Sequence, residues 1–181
     1  MNNERHILNM FAQGDSRAMD VLYADFADIL TGICRRYVPQ PDDMRDVLQD
    51  AFIKIFSSIG KFKYRGEGSL RAWLTRIVVN EALMFLRSKK KMLFIDSERE
   101  LPDPPDDPPD TSGLTADMVD NALSRLPDGY RAVFNLYAIE GKSHKEIAGM
   151  LGIKPDTSAS QYHRAKALLA NILRKMKEET I

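Results

Sequence analysis

Hydrophobic residues recur every three or four positions along most of the chain, which is the spacing of amphipathic α-helices. One apolar stripe covers residues 18–37 and ends before two prolines. Two more stripes cover residues 44–59 and 70–86. No segment shows the strict alternation of a half-buried strand. The pattern therefore predicts an all-α fold.

Proline and acidic residues interrupt this helical pattern in the middle of the chain. Residues 102–110 read PDPPDDPPD and hold five of the nine prolines. Proline denies this stretch a helix and the clustered carboxylates repel one another, so an extended, solvated segment is expected. The sequence thus predicts two small helical domains, residues 1–88 and 114–181, joined by a flexible, acidic, proline-rich linker over residues 89–113.

The formal net charge of zero conceals blocks of opposite sign. Residues 61–91 carry nine basic and two acidic side chains, whereas residues 96–110 carry seven acidic and one basic. Residues 141–181 carry eight basic and four acidic side chains. Such blocks are often only solvated helix faces, so the residues within each block decide whether it indicates a nucleic-acid surface.

The end of the chain has the pattern of a helix-turn-helix. After helices predicted over residues 114–125 and 129–140, Ser143 and Glu146 match a capping box. Gly152 breaks this short helix, and Pro155 suits the first turn of a longer, more basic one. A helical hairpin without a nucleic-acid role is the alternative. We expect these side chains of the last helix to be at least partly available to a DNA groove: Thr157, Ser160, Gln161, His163, Arg164 and Lys166.

The basic block over residues 61–91 carries a different signal. Its beginning, KFKYRGEGS, interleaves cations and aromatic rings with two glycines. Cations follow a phosphate backbone and rings accept unstacked bases, so this mixture suits single-stranded DNA. Trp73 and Phe62 lie on apolar stripes, which favours core packing over base stacking. Tyr64, beside Gly66, is expected to be the better exposed ring.

Three stretches, in this order, resemble the extracytoplasmic-function sigma factors of bacterial RNA polymerase. They are DVLQDAFIKIFSSIGKF, YRGEGSLRAWLTRIVVNEALMFLR and LSRLPDGYRAVFNLYAIEGKSHKEIAGMLGIKP. The resemblance extends from about residue 15 to residue 174. It implies that the first domain is sigma region 2 and the second is sigma region 4. It also implies a protein that initiates transcription of a specific, stress- or signal-responsive gene set.

The same resemblance implies partners and sites. The partners are the β and β′ subunits of core RNA polymerase, double- and single-stranded promoter DNA, and an anti-sigma factor. Region 4 is implied to read the −35 element with the residues of the last helix named above. The implied contacts with core polymerase are Asp46, Gln49, Asp50, Phe52 and Lys54. The implied contacts with the −10 element are Lys63, Tyr64, Arg65, Ser69, Arg71, Arg76, Asn80 and Arg87.

No enzyme signal competes with this interpretation. The three histidines are scattered, and the single cysteine, Cys34, lies on an apolar stripe. We therefore expect no catalytic residues, no cofactor and no metal. Without a membrane-spanning run or a signal-peptide pattern, we expect a cytoplasmic protein with no membrane contact of its own. Two alternatives remain open: a DNA-binding regulator that acts without joining polymerase, and a single-stranded nucleic-acid binding module.

Overall fold

The computed structural model describes residues 3–89 and 115–178, and within these two ranges it contains helices and no strands. The chain forms two compact units that divide near residue 85. The prediction of an all-α fold is thereby confirmed. Beyond Lys89, the segment predicted as a linker lies outside the described residues.

The first unit contains four helices and one 3₁₀ turn within residues 3–89. They are α1 (Asn3–Ala12), α2 (Ala18–Tyr37), α3 (Pro41–Ser58), the 3₁₀ turn (Ile59–Lys61) and α4 (Ser69–Ser88). The three predicted stripes correspond to α2, α3 with its 3₁₀ extension, and α4. The spacing analysis did not identify α1.

The core of the first unit is built from the predicted apolar stripes. Leu22 and Leu30 of α2, Ile55 of α3, and Leu70 and Leu74 of α4 are fully buried. Each such burial contributes about 1.5–3 kcal/mol relative to an exposed side chain. Because one face of each helix is committed to this core, the polar residues between these positions are left on the outside.

The second unit contains four helices within residues 115–178. They are α5 (Ala116–Ser124), α6 (Asp128–Phe134, continued by a π-helical segment, Asn135–Ile139), α7 (His144–Leu151) and α8 (Pro155–Glu178). Helix α8 packs against the other three. One cluster of buried residues in this unit consists of Ala122, Leu123, Leu126, Tyr130, Ala165, Leu169 and Leu173.

The ends of α7 have the predicted chemistry. The Ser143 side chain accepts a hydrogen bond from the Glu146 backbone N–H, and Glu146 Oε2 accepts one from the Ser143 N–H at 2.8 Å. The hydrogen bonds from Ser143 hold the pKa of Glu146 below its usual range. Gly152 ends the helix with a left-handed φ of 70°, which glycine adopts without steric cost. The three-residue turn to Pro155 completes a helix-turn-helix.

A buried arginine fixes the turn between α5 and α6. Arg131 is only 2% exposed, and its Nη1 donates to the Leu126 carbonyl oxygen at 2.6 Å, while its Nη2 pairs with Asp128. Burial lowers the pKa of Arg131, and the Asp128 carboxylate opposes that shift. The guanidinium thus donates a hydrogen bond to a backbone carbonyl oxygen that the turn makes inaccessible to water.

The environment of Cys34 leads to a prediction of low thiol reactivity. Its side chain is fully buried in α2, and desolvation raises the pKa of the thiol to about 12. At neutral pH the folded chain should react with iodoacetamide far more slowly than the denatured chain, because only the thiolate is nucleophilic. The thiol of the unfolded chain ionises near pH 8.5, whereas the folded thiol keeps its proton to higher pH. The contribution of Cys34 to the free energy of unfolding should therefore be present below about pH 8.5 and decline above it. Rapid alkylation of the folded chain at pH 7 would contradict this prediction.

Candidate polymerase and nucleic-acid interfaces

Helix α3 presents an exposed face of two carboxylates and an amide. Asp46, Gln49 and Asp50 are exposed, and their spacing of three and four residues places them on one side of the helix. Val47 and Ala51, on another side, are buried in the core. The hydrophobic packing of α3 therefore orients these three polar side chains toward solvent.

Phe52 and Lys54, the other two residues predicted for this site, flank the acidic face on opposite sides. The Phe52 ring lies 5.0 Å from that of Tyr23 on α2, measured between centroids. Lys54 Nζ lies 2.7 Å from Glu81 Oε1 on α4. Because Glu81 is almost fully buried, Lys54 ties α3 to α4, although its side chain remains about half exposed.

An apolar groove lies beside the acidic face, between α2 and α3. Its volume is about 520 Å³, and its lining includes Gln49, Phe52 and Phe56. Two more of its lining residues, Tyr23 and Ile53, are 54% and 59% exposed. Exposed apolar clusters rimmed by polar residues are typical of protein–protein contacts. Sequence reasoning missed this groove; an aromatic residue at position 23, next to the buried stripe position Leu22, was the available signal.

A basic groove lies along the first half of α4. Its volume is about 560 Å³, and it includes four cationic side chains, three of which precede Gly66 in the sequence. The partly exposed rings of Phe62 and Trp73 both line it, with centroids 5.1 Å apart and planes tilted by 43°. The groove is lined by Lys61, Phe62, Lys63, Arg65, Ser69, Ala72, Trp73 and Arg76.

A second cavity shares the two rings with the basic groove. Its volume is about 430 Å³, and Asn80 and Ile77 contribute to it from α4, opposite Ser58 of α3. The Lys54–Glu81 ion pair also lines this cavity. Phe62 and Trp73 therefore pack against each other, and both rings also line two openings.

The residues predicted for the −10 site are only partly brought together. Ser69, Arg76, Asn80 and Arg87 follow one another at spacings of seven, four and seven residues, so they share one face of α4. Arg71 is exposed but lies about 200° around the helix from Ser69.

Tyr64 differs from the prediction that it would be better exposed than the other two rings. It is half-buried, as Phe62 and Trp73 are. The guanidinium of Arg5 lies over the Tyr64 ring, 5.1 Å from its centroid. The reason is tertiary: α1, which the sequence analysis did not predict, covers this ring.

The predicted −35 residues divide between exposed and buried positions on α8. Thr157, Ser160 and Arg164 share one face, where Ser160 is exposed and the other two are half-buried. His163 is exposed at the border of this face, next to Ser160, whereas Lys166 is exposed on another side of the helix.

The prediction that Gln161 is available to DNA is wrong for the free chain. Gln161 is 8% exposed, and its Oε1 has no hydrogen-bond partner among the described residues. It lies three residues after buried Ser158 and four before buried Ala165. This helical spacing directs its side chain into the core.

Aromatic contacts fix how the two helices of the helix-turn-helix cross. The Tyr162 ring on α8 lies 4.4 Å from that of Tyr137, which in turn stacks on His144 of α7 at 4.5 Å. His144 Nδ1 also lies 2.9 Å from the hydroxyl of buried Ser158. These contacts hold α8 at a defined angle to α7.

Comparison with known proteins identifies the family to which this arrangement belongs. Residues 22–92 match the Sigma-70 region 2 model, and residues 116–169 match the Sigma-70, region 4 model. An ECF RNA polymerase sigma factor of Mycobacterium tuberculosis, SigM, is 32% identical over 94% of this chain and 85% of its own length. The chain belongs to the ECF sigma factors.

Two further proteins extend the likeness over almost the whole chain. The ECF RNA polymerase sigma-E factor of Haemophilus influenzae is 29% identical over 93% of this chain and 94% of its own. The solved structure of CnrH in complex with the cytosolic domain of CnrY is 26% identical, with a TM-score of 0.50, over 96% of this chain and 98% of that one. This ECF sigma factor thus contains the two regions that bind core RNA polymerase and promoter DNA, and it is a transcription initiation factor. No helix in the described ranges is long and apolar enough to cross a bilayer.

Proposed function

We propose that this ECF sigma factor docks on core polymerase through the exposed face of α3 and the apolar groove beside it. Asp46, Gln49 and Asp50 supply carboxylates and an amide for polar contacts, and Phe52 supplies apolar area in the groove. An apolar centre with a polar rim is the usual anatomy of such an interface. Lys54 contributes indirectly, because its ion pair with Glu81 holds α3 against α4.

We propose that the basic groove on α4 captures unpaired bases of the −10 element. The observation that supports this most strongly is a single groove in which four cations surround the Phe62–Trp73 pair. Flipping a base costs a few kcal/mol of unstacking, which ring contacts and charged hydrogen bonds must offset. The predicted residues that line it are Lys63, Arg65, Ser69 and Arg76.

The remaining −10 residues are assigned separate roles in the same proposal. Asn80 reads a base edge from the adjoining cavity, where its amide offers both donors and an acceptor. Arg87 lies on the groove face of α4 and contacts phosphate further along the strand, and Arg71 contacts phosphate on the other side of the helix. Tyr64 supports the loop beneath Arg5 and is the least direct of the eight.

We propose that α8 reads the −35 element in the major groove. Ser160 and Arg164 offer a hydroxyl and a guanidinium to base edges, and Thr157 begins the same face. His163 is placed for a phosphate contact at its border, and Lys166 is assigned a phosphate contact from another side of the helix. Gln161 is assigned to holding the helix rather than to reading DNA, because it is buried.

The same family membership supports a proposal for regulation and location. We propose that an anti-sigma factor holds this chain inactive until a signal releases it, as CnrH is captured with a segment of a second protein, CnrY. The chain acts in the cytoplasm, where polymerase and promoters are, and directs a specific, stress- or signal-responsive gene set. It has no catalytic residues of its own, since chemistry belongs to the polymerase.

The proposed domain boundaries, 1–88 and 114–181 with a linker at 89–113, lead to a prediction about proteolysis. The charged residues and prolines of the linker disfavour a packed core, so limited proteolysis should cut first between residues 92 and 113. Arg99 is the single basic residue in that interval, and Glu98 and Glu100 flank it. Brief trypsin and glutamyl-endopeptidase digests, read by mass spectrometry, should therefore both leave two helical fragments. A first cut within residues 44–88 would contradict the boundary.

Run-off transcription with core polymerase tests the proposed function as a whole. The purified chain should direct initiation from a subset of a promoter library, with start sites set by paired −35 and −10 elements. A DNA-binding regulator would bind duplex DNA but give no initiation with core polymerase. A single-stranded nucleic-acid binding module would bind oligonucleotides without sequence preference, and neither result is expected.

A further inference from the structure

A buried carboxylate from the N-terminal helix reaches the start of α4. Glu4 is 7% exposed, and its Oε2 accepts hydrogen bonds from the backbone N–H groups of Gly68 at 3.1 Å and Leu70 at 3.3 Å. Its Oε1 accepts a third, from the Arg71 N–H, at 3.0 Å. These partners lie 64 to 67 residues away along the chain, so one side chain joins two distant segments.

Glu4 supplies a helix cap that the local sequence lacks. Residue 68, which precedes the first helical residue, is a glycine and has no side-chain acceptor for the free N–H groups of the first turn. The Ser69 N–H bonds to the Gly66 carbonyl at 3.1 Å, and the Ala72 N–H makes the first helical bond, to Gly68. The Leu70 and Arg71 N–H groups remain, and Glu4 accepts both. Its negative charge also lies at the positive end of the α4 dipole.

The loop that Glu4 caps has little rigidity of its own. Gly66 and Gly68 have φ angles of 126° and 81°, which other residues rarely adopt. Glycine also loses the most conformational freedom on ordering, so such a loop samples many shapes unless it is held. Within the loop, the Ser69 hydroxyl donates to the Gly66 carbonyl at 2.6 Å and accepts from the Arg65 N–H at 3.2 Å.

The same helix holds the other end of the loop. Arg5, the next residue of α1, places its guanidinium over the Tyr64 ring. Helix α1 is itself anchored by fully buried Ile7, and it packs against α2 and against the 3₁₀ turn that ends at Lys61. Consecutive residues of α1 therefore contact both ends of the loop whose side chains form one wall of the basic groove.

We propose that Glu4 is a positioning residue for promoter opening. It fixes loop 64–69 so that Arg65 and Ser69 line the basic groove, beside Lys63, before DNA arrives. Because the loop is already ordered when DNA binds, the conformational entropy lost on ordering it does not weaken the capture of a base. The inference rests on the proposed role of the groove in binding the −10 element, and it assigns a function to α1, which has no contact with DNA in that proposal.

Glu4→Gln in the full-length chain tests the proposal. The amide keeps one acceptor oxygen but turns an NH₂ group toward backbone donors, so at least one of the three hydrogen bonds is lost together with the charge. With wild-type and variant chains assembled into holoenzyme, the rate of promoter opening should fall by about tenfold, the scale set by one helix cap. The affinity for core polymerase should not change. In the free chain, amide hydrogen exchange should accelerate at Gly68, Leu70 and Arg71 but not in α8.

Asp15→Asn is the matched control. Asp15 Oδ1 accepts a hydrogen bond from the Arg17 N–H at 2.9 Å in the turn before α2, so this change also removes carboxylate hydrogen bonds from the first unit but not from the loop. Promoter opening by this variant should match wild type. Arg5→Ala, which alters an exposed side chain, is the second test variant and should slow opening less than Glu4→Gln.

Three outcomes would overturn the inference. They are opening at the wild-type rate by folded Glu4→Gln, equal slowing by Asp15→Asn, and unchanged exchange at Leu70 and Arg71 in folded Glu4→Gln. If Glu4→Gln does not fold, Arg5→Ala alone decides, and normal opening by it overturns the inference. Failure of the wild-type holoenzyme to open any promoter would instead refute the proposed function.

Discussion

Replacing Asp50 with lysine is expected to lower the affinity of this sigma factor for core polymerase by about a hundredfold, equivalent to ~2.7 kcal/mol. The reversed charge would face the polymerase groups that Asp50 is proposed to contact, and like charges brought together at an interface cost several kcal/mol. The fold should persist, because Asp50 is exposed and surface substitutions typically change stability by less than ~0.5 kcal/mol. Titration of labelled sigma factor with core polymerase measures the effect.

Asp28→Lys separates a specific contact from a general effect of charge. Asp28 is also an exposed aspartate within a long helix, α2, and it lies outside the lining of the apolar groove. Both variants change the net charge by the same amount, but the Asp28 variant should bind core polymerase as tightly as wild type. Equal losses in the two variants, or no loss in either, would refute the placement of the docking surface on α3.

The helices that form the core were predictable because a helix that buries one face has apolar residues every three or four positions. Leu22, Ile55 and Leu74 each lie on a stripe that repeats every three or four residues, and each is fully buried. Helix α1 was not predictable in this way, since it is ten residues long and buries only Ile7 and Met10 among its apolar residues. Its importance depends on Glu4, whose partners are distant in the sequence and become visible only in the tertiary structure.

The residue types at the candidate sites could be predicted from the sequence, but much of their geometry could not. The cations and rings of residues 61–76 indicated a nucleic-acid surface, but the sequence does not show that Phe62 packs against Trp73 and that the pair lines two cavities. Gln161 shows the limit most clearly. An amide on a basic helix suits a base edge, but a shift of one position along a helix can turn a side chain from solvent to the core. Gln161 lies on the same side of α8 as Ser158 and Ala165, which are buried, and it therefore faces the core.

Arg164→Ala is expected to weaken closed-complex binding by ~1–3 kcal/mol if its guanidinium reads a −35 base. If Arg164 contacts only phosphate, the loss should be similar on every −35 sequence, with a smaller dependence on salt. Arg174→Ala is the matched control, since Arg174 is exposed on the same helix about 15 Å further along. Binding to duplex −35 fragments by holoenzyme measures both variants, and equal losses would refute the proposed reading face.

Asn80→Ala is expected to impair opening of the −10 region while leaving −35 contacts in the closed complex largely intact. Asn80 lines a cavity beside the Phe62–Trp73 pair in the first unit, whereas Arg164 lies in the second unit on a helix suited to a duplex groove. A pre-melted promoter supplies bases that are already unpaired. It should therefore rescue the Asn80 variant at least in part, because part of the lost binding energy was needed for melting, and it should do little for the Arg164 variant. If pre-melting changes the two variants equally, the assignment of melting to α4 and duplex recognition to α8 is wrong.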